Sequence, residues 1–218
     1  MRFSRWILPI LISVSFGSSA YAWELAVVAG LNHSRPSLNP DPPNGATLSS
    51  KATFDFGILS EISVSNDYRF ETGLIRHSRS TLLESTASTT ETSYSGWLIP
   101  LTFRFMRAEF LGFGFGPYVG VLNAHTKTTT TYPSGGSVVV EGDDANRKSY
   151  EIGLRANLRI AIPVYRSVKA VVDGSYLFGF TDLNKSGTAE DKTQELLLLV
   201  GLQIPLDSNP VPEKEAPK

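Results

Sequence analysis

Few residues in the chain have the chemistry to act on a substrate. His77 sits in Arg76-His77-Ser78-Arg79-Ser80, and a histidine beside a serine is the least from which a base-activated nucleophile could be built. Such a pair must meet in space with an orienting carboxylate, and neighbours on an extended chain point to opposite faces, so His77 reads as a polar interior or rim residue. His33 and His125 open polar connections, and three histidines so dispersed have no metal-ligand spacing. The 218 residues include no cysteine, which excludes disulfides, thiolate metal sites and thiol catalysis. No catalytic residue, cofactor or metal is implied.

Charge is more abundant elsewhere, and it recurs at alternate positions. Asp55, Glu61, Glu71, Glu151, Asp173 and Glu195 are accompanied by Arg69, Arg104, Arg155, Arg159 and Lys169 in stretches where every other residue is apolar. No two carboxylates stand apart as a general acid and base, so the set reads as one interior salt-bridge network. Period two marks strands, whose successive side chains leave on opposite faces. Eight segments carry it: 24–32, 54–62, 68–77, 96–105, 111–121, 150–162, 168–180 and 195–204. The cleanest sets Tyr150, Ile152, Leu154, Ala156, Leu158, Ile160 and Ile162 against Glu151, Gly153, Arg155, Asn157 and Arg159.

The connections alternate in length. Long polar ones fall at 34–50, 80–93, 124–147 and 182–193, and short ones near Ser65-Asn66-Asp67, Met106-Arg107-Ala108 and Pro163-Val164-Tyr165-Arg166. An all-β, eight-stranded, antiparallel up-and-down barrel, with tight turns at one end and long loops at the other, gives this rhythm. The polar register is rich in glycine and carries both signs of charge, which suits the cramped interior of so small a barrel. The other register is bulky and nearly uncharged, as lipid contact requires, since a charge there costs ~2–4 kcal/mol at the midplane. A mean hydropathy of −0.05 is then the sum of an apolar band, a charged interior and polar loops. Tyr68, Trp97, Tyr176, Phe178 and Phe180 lie near segment ends, where aromatic girdles form. Pro100 and Pro117 fall inside strands of a barrel without edges, so each predicts a bulge or a missed ladder bond. The threonines of 126–131 read as a solvated low-complexity loop. Arg76, Arg79 and Lys127 read as solvated charges near the outer leaflet, with contact to anionic lipid head groups as the alternative.

The ends of the chain have a different character. Basic Arg2 and Arg5, an apolar run from Trp6, and Ser19-Ala20-Tyr21-Ala22 form a secretory leader with cleavage between Ala22 and Trp23. Without those two arginines the 20 basic residues fall to 18 against 21 acidic, a formal charge of −3. Neither this balance nor any basic run suits a nucleic-acid partner. Pro210, Pro212 and Pro217 among Glu and Lys make 207–218 read as a disordered tail. The chain thus divides into a leader, 1–22, a barrel domain, 23–206, and a tail, 207–218.

Ile99-Pro100-Leu101 running to Arg104-Phe105, Gly112-x-Gly-x-Gly-Pro117-Tyr118-Val-Gly120, and Gly174-Ser-Tyr176-x-Phe-Gly179-x-Thr-Asp182 occur in this order among the eight segments. With the leader, they resemble the small bacterial outer-membrane β-barrel proteins, the group of the OmpA transmembrane domain, OmpX and PorT-like proteins, over nearly the whole mature chain. Leu199-Val-Gly201-Leu-Gln-Ile204-Pro-Leu206 is similar to the terminal-strand signal read by the barrel-assembly machinery. It departs at Leu199, usually polar, and in continuing past the strand. The resemblance implies an outer-membrane monomer with both termini periplasmic. Its implied partners are outer-membrane lipid, lipopolysaccharide, the assembly machinery and an unknown extracellular loop partner. The expected role is structural or surface-exposed, in adhesion or interaction, around a plugged polar interior. The alternatives are a small non-specific pore, a lipid A-modifying barrel enzyme, and a soluble periplasmic lipocalin-like ligand binder.

Overall fold

The computed structural model describes residues 22–39, 46–185 and 190–206. Most of the leader, the Pro-rich tail and two loop segments lie outside the described residues.

Ten strands are described: β1 (Trp23–Asn39), β2 (Thr47–Ser50), β3 (Thr53–Ser63), β4 (Tyr68–Glu84), β5 (Thr89–Ala108), β6 (Leu111–Thr131), β7 (Ser137–Asp143), β8 (Tyr150–Tyr165), β9 (Val168–Gly179) and β10 (Glu190–Pro205). Eight of them form a ring, β1–β3–β4–β5–β6–β8–β9–β10, and β10 pairs back to β1. Every pairing is antiparallel, and ring neighbours follow one another along the chain, so this is an up-and-down barrel with no open edge. Closure leaves no row of unpaired N–H and C=O groups on the ring. β2 and β7 extend the sheet at one end, β2 on β4 and β7 on β6.

The turns at the opposite end are short. Val64 and Ser65 both donate to the Tyr68 carbonyl in the first. Glu109-Phe110 makes the second, a little later than Met106-Arg107-Ala108 predicts, because β5 continues through a bulge to Ala108. Arg166 enters the left-handed region, φ 48°, in the two-residue connection from β8 to β9. Both ends of the described chain lie here, with the Leu206 N–H on the Trp23 carbonyl.

The long connections correct the expectation of solvated loops. β4 and β5 continue as a hairpin to Glu84 and Thr89, and β6 pairs with β7 from His125–Asp143 to Thr131–Ser137. The threonine run 126–131 is therefore strand, paired on both sides. Thr130 and Thr128 place their hydroxyls 3.3 Å from Thr90 and 3.4 Å from Thr92. Branched Cβ atoms favour this pleated surface, and composition alone had suggested a loop.

Neither strand proline makes a bulge. β4–β5 pairing lapses between Thr72–Leu101 and Ile75–Leu98, a gap that includes Pro100. β5–β6 pairing lapses between Pro100–Tyr118 and Phe103–Phe115, a gap that includes Pro117. The register is the same on both sides of each gap, so the missing N–H groups interrupt the ladder without displacing it. The register shifts fall elsewhere, at Tyr94/Gly96, Met106/Ala108 and Pro163/Tyr165.

Candidate functional site

The barrel interior is stacked in three layers. The layer nearest the tight turns is ionic. Arg69 reaches Glu24 at 2.9 Å and Glu61 at 2.7 Å, and Lys169 and Gln203 each reach Glu24 at 2.5 Å. Deeper in the same layer, Arg155 holds Glu71 at 2.5 Å and Asp173 at 2.8 Å. Arg159 bonds Asp173 at 3.0 Å and also pairs with Glu61 and Glu71. Arg104 joins Glu71 at 2.8 Å and also contacts Glu61 and Asp173. Glycine makes room for these long side chains: a Cβ at Gly112 would stand 2.5 Å from Arg104 Cδ, and one at Gly114 2.7 Å from Thr102 Cγ2.

Above it lies an apolar layer. Leu59, Ile75, Leu98, Leu177, Leu197 and Leu199 are all inward and fully buried with Tyr118, and their cluster continues through Ala26 and Val28 to Ala161 and Val171, which flank the ionic layer on the tight-turn side of Arg159 and Asp173. The alternation predicts a polar interior throughout, so this layer is an addition from the structure. Leu199, out of place in the terminal-strand signal, is one of its members.

The third layer is ionic again. Asp55, Glu151 and Glu195, expected in one network with the lower charges, stand here instead, around His77 and Arg79. His77 Nδ1 lies 2.6 Å from Asp55 Oδ2 and Nε2 lies 2.8 Å from Glu195 Oε2. Carboxylates only accept, so Nδ1 donates to Asp55, while Nε2 faces both Glu195 and the Arg79 Nε–H at 3.2 Å. Arg79 pairs with Glu151 at 2.7 Å and with Glu195, and Tyr118 Oη donates to Glu151 at 2.6 Å. Arg79 is thus buried and paired, not solvated at the outer leaflet, because β4 continues past His77 and the 75–77–79 parity carries it inward. Leu183 closes this end, buried with Tyr94 and Leu122, while Arg147 stacks 3.5 Å over the Tyr94 ring.

The His77–Ser78 pair does not form a base-activated nucleophile in this arrangement. Ser78 is on the outward register, and both His77 nitrogens already face carboxylates in a 2% exposed ring. Ser78 contributes only its backbone N–H, at 2.9 Å, to Asp55. The described residues contain no group of three His, Asp or Glu able to hold a metal ion. Sequence reasoning about the ionic set omitted Glu24, His77 and Arg79, although each shares the parity of residues it did include.

The outer wall inverts the usual polarity of a soluble barrel. Val27, Phe54, Phe56, Phe103, Phe115, Leu196, Val200 and Leu202 face outward at half exposure or more, in a band that runs round the ring. Around this band the charges, Arg76 apart, are gathered inside and bulky apolar side chains outside, the arrangement that hydrocarbon selects and water does not. The protein is a transmembrane β-barrel. Tyr68, Trp97, Tyr176, Phe178 and Phe180 all stand on this outward wall.

No family model and no curated protein matches the chain. Similar solved structures are small outer-membrane proteins. The attachment invasion locus protein Ail of Yersinia pestis, solved with the heparin analogue sucrose octasulfate, is 15% identical, over 84% of this chain and 99% of its own, with a TM-score of 0.44. OprG of Pseudomonas aeruginosa is 10% identical over 88% and 99%, TM-score 0.46. Neisserial surface protein A is 14% identical over 87% and 99%, TM-score 0.43.

Proposed function

We propose that the protein resides in a bacterial outer membrane, both termini periplasmic, as a closed scaffold whose function lies in the β-sheet it raises beyond the membrane. The observation that carries this reading is the layered interior. An ion crossing the barrel would leave one ionic layer, lose its water in the Leu59–Ile75–Leu98–Leu177–Leu197–Leu199 layer and enter a second ionic layer. Neither ionic layer has spare capacity, because each carboxylate is already held by a cation or hydrogen bond. What remains for interaction is the upper sheet, where Val138, Val139, Val140 and Tyr132 are exposed beside rows of threonine. Structural support and surface interaction fit this architecture better than conduction or lipid A chemistry. Export by the leader and assembly by the barrel-assembly machinery, read from 1–22 and from the end of β10, belong to the same proposal. Planar-bilayer recording on purified protein tests it. A closed interior gives no steady conductance, and sustained, reproducible current steps would overturn the scaffold reading in favour of a pore.

A further inference from the structure

Arg69, Arg79, Arg104, Arg155 and Arg159 each meet a carboxylate inside the barrel. Arg76 is on the other face. Ile75 and His77 on either side of it are buried inward, so its side chain leaves the wall between the outward residues Leu74 and Ser78. Its ladder partners are Phe56 on β3 and Trp97 on β5, both exposed outward. The guanidinium lies over the Trp97 ring, 5.6 Å from its centroid, while Nη2 donates to Ser95 Oγ at 2.7 Å and Nη1 to the Gly96 carbonyl at 3.5 Å. Arg76 has no carboxylate partner among the described residues, and most of its five N–H donors remain available. It stands eight residues up β4 from Tyr68, or about 20 Å along the barrel axis for a strand tilted about 40°. An outward apolar band is about 25 Å tall, so this height approaches its far rim, where anionic headgroups begin.

We infer that Arg76, braced on Trp97 and Ser95, is a phosphate-binding site on the outer wall, set to hold the phosphate of a membrane lipid headgroup. The tryptophan face and the serine fix the guanidinium plane, leaving its free edge for two parallel N–H to oxygen bonds. A fully hydrated lysine ammonium would lack both the stacking and the fork. The site rests on the transmembrane reading, since only a bilayer brings headgroups to this height.

The test uses the mature chain in a maltoside detergent with Trp23→Phe, which leaves Trp97 as its only tryptophan. Emission is followed during titration with a diphosphorylated lipid A glycolipid, with the same glycolipid dephosphorylated, and with inorganic phosphate. A saturable change with the phosphorylated form is expected, weakened at least tenfold by Arg76→Gln and less by Arg76→Lys. Inorganic phosphate that competes or reproduces the change at higher concentration identifies phosphate as the recognised group and leaves the lipid anchor to supply the affinity. Equal affinity for the dephosphorylated glycolipid, or for Arg76→Gln and wild type, overturns the site. Heat-modifiable gel migration of each variant is read separately, so loss of the barrel itself cannot be mistaken for loss of the site.

Discussion

Replacing Asp173 by asparagine tests the lower ionic layer most sharply, because the change keeps shape and removes one charge. The layer holds four acids, Glu24, Glu61, Glu71 and Asp173, against five bases, Arg69, Arg104, Arg155, Arg159 and Lys169. Asp173 serves three of those bases, at 2.8, 3.0 and 3.6 Å, and accepts from Ser175 at 2.6 Å and Asn157 at 2.7 Å. Asp173→Asn leaves five cations facing three anions, and at this buried position turns an amide N–H toward Arg155 or toward Arg159 and Arg104, which only donate. Breaking a buried pair in this way costs about 3–5 kcal/mol. Arg155→Met removes a charge from the side in excess, leaving four against four. Glu71 keeps Arg104 at 2.8 Å and Asp173 keeps Arg159 at 3.0 Å, so the loss is smaller, about 1–3 kcal/mol. Urea unfolding in phospholipid vesicles, followed by tryptophan emission and by gel mobility, measures both. Asp173→Asn within about 1 kcal/mol of wild type, or Arg155→Met the more damaging of the two, would refute the charge balance assigned to this layer.

His77→Ala removes the imidazole that bridges Asp55 and Glu195 and should lower stability by about 3 kcal/mol in the same assay, while leaving the acylation pattern of lipid A in cells unchanged. An altered pattern would restore the enzyme reading. On the raised sheet, the Lys127 ammonium 2.9 Å away holds the Glu141 carboxyl below the usual carboxylate range. A depressed folded value means that the pairing acts above the ordinary range and is lost as pH falls through the lowered one. Lys127→Met should therefore move the Glu141 titration upward by NMR, and an unmoved titration would show that the pair does not form in solution.

The two faces of each barrel strand were legible in the sequence because period two is a local property, readable without knowing any strand's partner. Parity assigns Ile75, Leu177 and Leu197 to the inward face, but it says nothing about what should fill that face at a given height. The apolar layer arises only when the register of eight strands brings those positions level, and register depends on the partner strand. Arg79 shows the same limit from another side. Ending the third segment at His77 left the arginine beyond the strand, as a charge near the outer leaflet, whereas continued pairing with Tyr94 keeps it in β4 and turns it inward. The threonine run became strand because Thr90 and Thr92 stand across from it, 36 to 40 residues earlier in the chain, a relation that composition cannot express.

Membrane fractionation combined with heat-modifiable migration in detergent gels addresses the central claim, a closed barrel with lipid outside and charge inside. The protein should sediment with the outer-membrane fraction, and unheated samples should migrate apart from boiled ones, because the closed ring resists detergent until heated. Recovery in the soluble periplasm with identical mobility before and after boiling would contradict it.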